Sequence, residues 1–188
     1  MADSGISREE ALELLRNQLK NVNLQRHCLA TEAIMRALAI QRGEDEDVWG
    51  LAGLLHDLDY EQTEDSPPDH GIRGAEMLEG LLPPEALQAI RAHNSEHTGV
   101  QRESDLDHLL AAAESLTGLI TATALVYPGR ELAPVKVRSV TKRMGKSGFA
   151  RSVNRDNIRE CEKAGYDLKG FVDISLKAMK SIASELGL

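Results

Sequence analysis

The chain has 188 residues, 41% of them apolar and 3% aromatic, and a formal charge of −8. That length buries one substantial core; only two cysteines, Cys28 and Cys161, far apart, and an N-terminus without an apolar run argue against a disulfide scaffold and a secretory signal, so a cytoplasmic protein is expected. Residues 1–129 carry 9 Lys and Arg against 23 Asp and Glu, whereas residues 130–163 carry 10 against 4, which disfavours polymeric nucleic acid or an anionic membrane as a partner and leaves small phosphorylated ligands open.

The hydrophobic pattern is helical almost throughout. "SREEALELLRNQL" opens with Ser7 and Glu10 spaced as a capping box, then shows Leu12, Leu15 and Leu19 at helical intervals. A second helix is expected from about Leu24 to Ile40, stopped near Gly43, with Glu32 and Arg36 as an i,i+4 ion pair on its wet side. A third covers roughly Asp47 to Asp59. The acidic loop "EQTEDSPPD" leads into a helix from about Asp69 to Leu81, which Pro83 and Pro84 close before the next, the carrier of Ile90 and His93. Leu106 to Tyr127 has the length of a membrane span, but its Ala, Thr and Gly content and Glu114 favour a buried helix of a soluble protein. After "PGRELAP", the alternating "PVKVRSVTKRM" reads as a short extended piece, and Asn154–Lys163 and Asp167–Leu186 read as two more helices. The expected fold is all-α and one domain: a core over residues 1–130, with a basic segment and C-terminal helices over 131–188 packed on it. Nothing requires oligomerisation, and a homo-oligomer is compatible with the pattern.

In "LAGLLHDLDY", Leu51, Leu54, Leu55 and Leu58 gather on one stripe, with His56 and Asp57 on the other side. One turn earlier stand Ala52 and Gly53, small enough to admit a neighbouring helix or a bound ion. His27 shares a face with Ala30, Thr31, Ile34 and Leu38; His93 is in register with Ala86, Ala89 and Ile90; His70 is in register with Gly74, Met77 and Leu78. One core histidine is ordinary. Three helices that each turn an imidazole inward suggest a shared partner, and a metal satisfies several imidazoles and a carboxylate at once. Glu114 is the only charged side chain between Leu109 and Gly129, so it should be protonated, paired with a cation or bound to metal.

His27, the doublet His56–Asp57 in "LLHDLD", and an acid far downstream on an alanine-rich helix stand in the order H…HD…D. That order resembles the HD-domain superfamily of metal-dependent phosphohydrolases. The blocks "HCLATEAIMRAL", "WGLAGLLHDLDYE", "HGIRGAEML" and "AAESLTGLI" look like small HD proteins often labelled HDIG-domain, over about Leu12 to Tyr127 and on through "FARSVNRDNI". The resemblance implies an all-helical HD bundle in which His27, His56, Asp57 and Glu114 hold one ion. The family has an aspartate where this chain has Glu114, whose extra methylene moves the carboxylate outward. The family's frequent lysine after the doublet is also missing, and Arg73, one turn after His70, is the candidate to replace its charge, a solvated arginine being the alternative. His70 and His93 match the additional histidines of two-metal HD phosphodiesterases, including relatives that cut dinucleoside polyphosphates, which implies a second ion bridged by Asp57.

Mixed imidazole and carboxylate donors suit Fe, Mn, Zn or Co better than Ca. One or two such divalent ions would activate a water and neutralise phosphoryl oxygens, so the resemblance implies hydrolysis of a nucleotide or another small phosphate ester or anhydride. Asp57, Asp59 and Arg73 are the candidate catalytic residues, Asp59 as a ligand orienter, a proton acceptor or a plain surface acid. His97 and His108 are weaker ligand candidates. The basic residues Lys136, Arg138, Lys142, Arg143, Lys146, Arg151 and Arg155 either flank the site or form a solvated face. Two rival readings remain: an HD-type di-iron oxygenase on the same ligands, and a ligand-sensing domain in which Glu114 has impaired catalysis.

Overall fold

Ser7 caps helix α1 (Arg8–Gln18) with a closed capping box: its side chain accepts from the Glu10 amide, and the Glu10 carboxylate accepts from the Ser7 amide. This computed structural model describes residues 5–188, and every regular element among them is helical, as the sequence pattern predicts. Helix α2 (Val22–Arg42) starts at Asn21 and stops at Gly43, whose φ of 74° suits a residue without a Cβ. It is buried on most sides because α3 (Glu46–Leu55), α8 (Asp105–Leu125) and α11 (Leu168–Ser181) all pack on it.

Glycines set the α2–α3 approach. A Cβ on Gly53 would lie 3.0 Å from Met35 Cγ and from the Thr31 carbonyl oxygen, and one on Gly50 would lie 2.6 Å from Arg36 Nε. The small residue before the His–Asp doublet therefore admits a helix. Glu32 and Arg36 do pair, at 2.9 Å, but not on a wet face: Glu32 is buried between α1 and α3 and also accepts two bonds from Arg8. The helical period predicts the pair but puts Glu32 on the wrong face, because it cannot show the second helix covering it.

Helix α3 ends earlier than its sequence pattern suggests. After Leu55 the chain tightens into i→i+3 bonds, Leu58 to Leu55 and Tyr60 to Asp57, so His56 to Asp59 form turns that lead into the short α4 (Tyr60–Thr63). The helix expected over 69–81 shortens to α5 (Ile72–Met77), because Gly71 at φ 88° breaks the backbone before it. Helix α6 (Pro84–His93) follows, then α7 (Ser95–Thr98) and α8, opened by a Ser104–Asp107 capping box. Helix α8 is long and apolar enough to cross a membrane by length and composition, yet 67% of that stretch is buried inside the protein.

The segment expected to be extended is instead helix α9 (Val137–Met144). Val137, Val140 and Met144 recur at helical spacing and face α8 and α11, so the apparent alternation is one side of an amphipathic helix. Helix α10 (Arg155–Arg159), a 3-10 turn (Glu160–Glu162), α11 and α12 (Ala183–Leu186) complete the chain. Their buried residues, among them Ile158, Phe171, Val172 and Met179, belong to the same apolar core as Leu54 and Leu116.

Candidate metal centre

Four imidazoles reach one place from four elements. His27 projects from α2, His56 stands in the turn after α3, His70 lies in the turn before α5, and His93 ends α6. Asp57 sits between them: its Oδ2 lies 3.5 Å from His27 Nε2, and its Oδ1 lies 3.4 Å from His56 Nε2, 3.2 Å from His70 Nε2 and 3.5 Å from His93 Nε2. The side chains form two overlapping triads, His27–His56–Asp57 and Asp57–His70–His93, each with donor atoms within 4.8 Å of one another. Asp57 is common to both.

Each ring is held by its other nitrogen. His56 Nδ1 donates to the Gly53 carbonyl at 2.8 Å, His93 Nδ1 to the Ile90 carbonyl at 2.6 Å, and His70 Nδ1 to Asp59 Oδ1 at 2.9 Å. The Thr117 hydroxyl donates to the Glu114 carbonyl, so it accepts from His27 Nδ1 at 2.8 Å. With the proton fixed on Nδ1, all four Nε2 atoms turn lone pairs inward. The pairs His27–His56 and His70–His93 then face each other at 3.1 Å, an arrangement that requires a cation or an extra proton between them. The donor set fits a divalent transition metal, and oxygen acceptors behind ligating imidazoles are what such sites use to fix the tautomer.

The electrostatics agree. Burial pushes His56 down to about 3, so it is neutral at physiological pH. Burial opposes ionisation of Asp57, yet His56, His70 and His93 hold its carboxyl well below the usual range. Burial also works against charge on His70, but Asp57 and Asp59 together push it up to about 10, so without a metal this ring keeps a second proton. A metal ion would displace it.

Of the triad residues, His27, Asp57, His70 and His93 line a cavity of about 520 Å³ that Asn94, Glu96, Ser152, Val153 and Asn154 also wall. Glu114 is on this wall too, but neither triad includes it; its Oε1 accepts from the Ser115 hydroxyl at 2.6 Å, and burial pushes its carboxyl upward. Glu114 thus stands on the same cavity wall as His27 and Asp57, its expected co-ligands. Arg73 is not at the site: its side chain is exposed, pairs with Asp69 at 3.6 Å and lines no part of the cavity, because the turn at Gly71 rotates it outward. Asp59 is no surface acid. It is fully buried, with Oδ1 on His70 and Oδ2 accepting from the Gly71 and Gly74 amides at 2.9 Å, so it positions His70 and has no oxygen free for a substrate.

His97 reaches the cavity wall but bonds to Asn94, and His108 is engaged with Glu160 at 2.7 Å. Among the described residues, no lysine or arginine lines the cavity. In the basic segment, Arg143 and Arg155 turn inward to carbonyls at Ser139 and Ala150, and Lys136, Arg138, Lys142, Lys146 and Arg151 are exposed. Sequence reasoning missed Thr117 and Arg102. Thr117 follows Glu114 by one turn on α8, a spacing that marks it as facing the same way. Arg102, nearly buried, donates to the Ala92 and His93 carbonyls and to Asn157, and so ties the end of α6 to α10; nothing in its local sequence signals this.

A bundle of this kind, with imidazoles from separate helices converging on a shared aspartate, defines an all-helical protein with a histidine–aspartate metal site. The family model described as HD domain matches residues 24–119, which spans His27 through Thr117. The chain belongs to the HD-domain family, part of the metal-dependent phosphohydrolase superfamily. Among curated proteins it is similar to Ribonuclease Y 1 of Pediococcus pentosaceus, at 30% identity over 95 residues, which is 50% of this chain and 18% of that protein's length. No solved structure matches the chain.

Proposed function

We propose that the protein is a metal-dependent phosphohydrolase acting on a nucleotide or another small phosphate ester or anhydride. The observation that carries this reading is the pair of triads hinged on Asp57, with all four imidazoles locked as Nε2 donors. His27 and His56 with Asp57 would hold one ion, and His70 and His93 with Asp57 a second. Ions so held lower the pKa of a bound water and neutralise phosphoryl oxygens.

The protein's own contribution is position and exclusion. Thr117, Gly53, Ile90 and Asp59 fix the rings, and the fully buried back of the site, at His56 and Asp59, keeps water from approaching except through the cavity. Since no lysine or arginine among the described residues lines the cavity, neutralisation of a bound phosphate would fall to the ions, which favours a substrate with little charge beyond the scissile group. The name of the similar Pediococcus protein, a ribonuclease, is consistent with phosphodiester chemistry.

The test is release of phosphate or nucleoside monophosphate from a panel of mono-, di- and triphosphates and phosphodiesters, with protein loaded with Mn, Fe, Zn or Co. The expected result is metal-dependent hydrolysis that His56→Ala abolishes. Oxygen consumption by an iron-loaded sample, without hydrolysis, would support an oxygenase instead. Bound metal with neither reaction would indicate a sensing domain.

A further inference from the structure

A second cavity of about 380 Å³ adjoins the first, and His27 and Gly118 line both. Its character is different. Ala30, Ala122, Leu125 and Leu186 give it an apolar half, Asn23 and Thr121 add neutral polar groups, Arg26 supplies a positive charge, and Leu188 stands on the wall as well; no Asp or Glu among the described residues lines it. The first cavity has Asp57, Glu96, Glu114 and four histidines, with no lysine or arginine among the described residues that line it. Gly118 stands at the junction: a Cβ there would lie 3.1 Å from Val153 Cγ2, so any larger side chain would crowd the space between α8 and the 150–154 loop.

The two spaces meet at an imidazole whose Nε2 belongs to a triad. Because His27 and Gly118 line both spaces, a phosphorus held at the triads would border the first cavity, toward Asn94 and Asn154, and would reach the second past Gly118. A phosphomonoester has one organic arm and would leave one of these spaces unused. We propose that the second cavity is the subsite for one organic arm of a phosphodiester, an uncharged arm of nucleoside size whose apolar face rests on Ala122 and Leu125 and whose acceptor atoms meet Arg26 and Asn23. This rests on the hydrolase reading above and narrows it. In the reaction, water attacks phosphorus, the ester P–O bond to one arm breaks, that arm leaves as an alcohol carrying a proton, and a monoester remains on the other.

The test uses the full chain loaded with manganese and two substrates, a dinucleoside monophosphate and the methyl ester of a nucleoside monophosphate, with a nucleoside monophosphate as the monoester control. Ala122 lines only the second cavity and touches neither triad, so Ala122→Phe, and the smaller Ala122→Leu, fill the subsite without altering the metal site. Wild type should favour the dinucleoside over the monoester. Ala122→Phe should lower kcat/KM for the dinucleoside by about tenfold or more and leave the methyl ester nearly unchanged, with Ala122→Leu intermediate and metal content equal to wild type. Hydrolysis of monoesters in preference, or equal rates in wild type and both variants on the dinucleoside, would overturn the subsite while leaving a hydrolase. No hydrolysis of any phosphate compound by metal-loaded wild type would remove the hydrolase reading, and the subsite with it.

Discussion

Asp57 meets four imidazoles with two oxygens, and the four rings are aimed by groups of quite different origin: a threonine hydroxyl, two backbone carbonyls and a buried carboxylate. Asp59 is the most exposed of these to mutational test because it can be made neutral at constant shape. Asp59→Asn should weaken metal binding by about 10- to 100-fold, read by competition with a chromogenic chelator, with the helical circular dichroism retained. His70 gives a pH signature in protein stripped of metal. Its folded value of about 10 lies above its ordinary 6.5, so its contribution to stability is full below about pH 6.5 and is lost as pH rises through 10. The urea midpoint of stripped protein should therefore fall between pH 7 and pH 10, and the fall should shrink in His70→Gln. Because Glu114 belongs to neither triad, Glu114→Ala should weaken metal binding yet leave more bound metal than His27→Ala, which loses one ion of two.

These residues differ in how readable they are from sequence. His27, His56 and His93 stand out because each places an imidazole on an apolar or small-residue face, a pattern that depends only on the helical period. Asp59 does not, since its partners His70, Gly71 and Gly74 come from a turn beyond a proline-bearing loop. Arg73 is a candidate for charge at the site with a solvated arginine as the alternative, and the structure shows the alternative, an exposed side chain paired with Asp69 after the positive φ at Gly71 has delayed the helix.

At the scale of elements, the α2–α3 contact governs the first triad, because His27 is on one helix and His56 directly follows the other. Gly53 is the point of closest approach, with Thr31 backbone and Glu32 Cα within 3.1 Å of a would-be Cβ. Gly53→Val should cost about 3 kcal/mol in chemical denaturation and reduce bound metal, since the helices must part. Glu32→Ala tests the packing without touching the site. It removes the buried carboxylate that Arg8 and Arg36 share, while Arg36 keeps Asp47 at 2.9 Å, for a loss of about 2 kcal/mol with the metal retained. Helix existence was readable nearly everywhere; helix α9 was not, because an eight-residue segment alternating valines with basic residues fits period 2 as well as one face of period 3.6, and only the α8 and α11 surfaces decide between them.

For the whole molecule, the C-terminal helices are part of the core and not an appendage. Phe171, Val172 and Met179 of α11 are fully buried where it packs on α2 and α8. The chain should thus unfold in one transition, and a fragment ending at residue 130 should not fold. Both thiols report on that unity. Cys28 is fully buried and Cys161 is pushed up to about 12 by burial, so neither should react with a thiol reagent at pH 8 until denaturant unfolds the chain. The central claim is that one carboxylate joins two metal triads drawn from four helical elements. Elemental analysis of metal-reconstituted protein tests it most directly: two ions per chain in wild type, one in His27→Ala, one in His93→Ala and none in Asp57→Ala. Equal metal in all four proteins, or none in any, would contradict it.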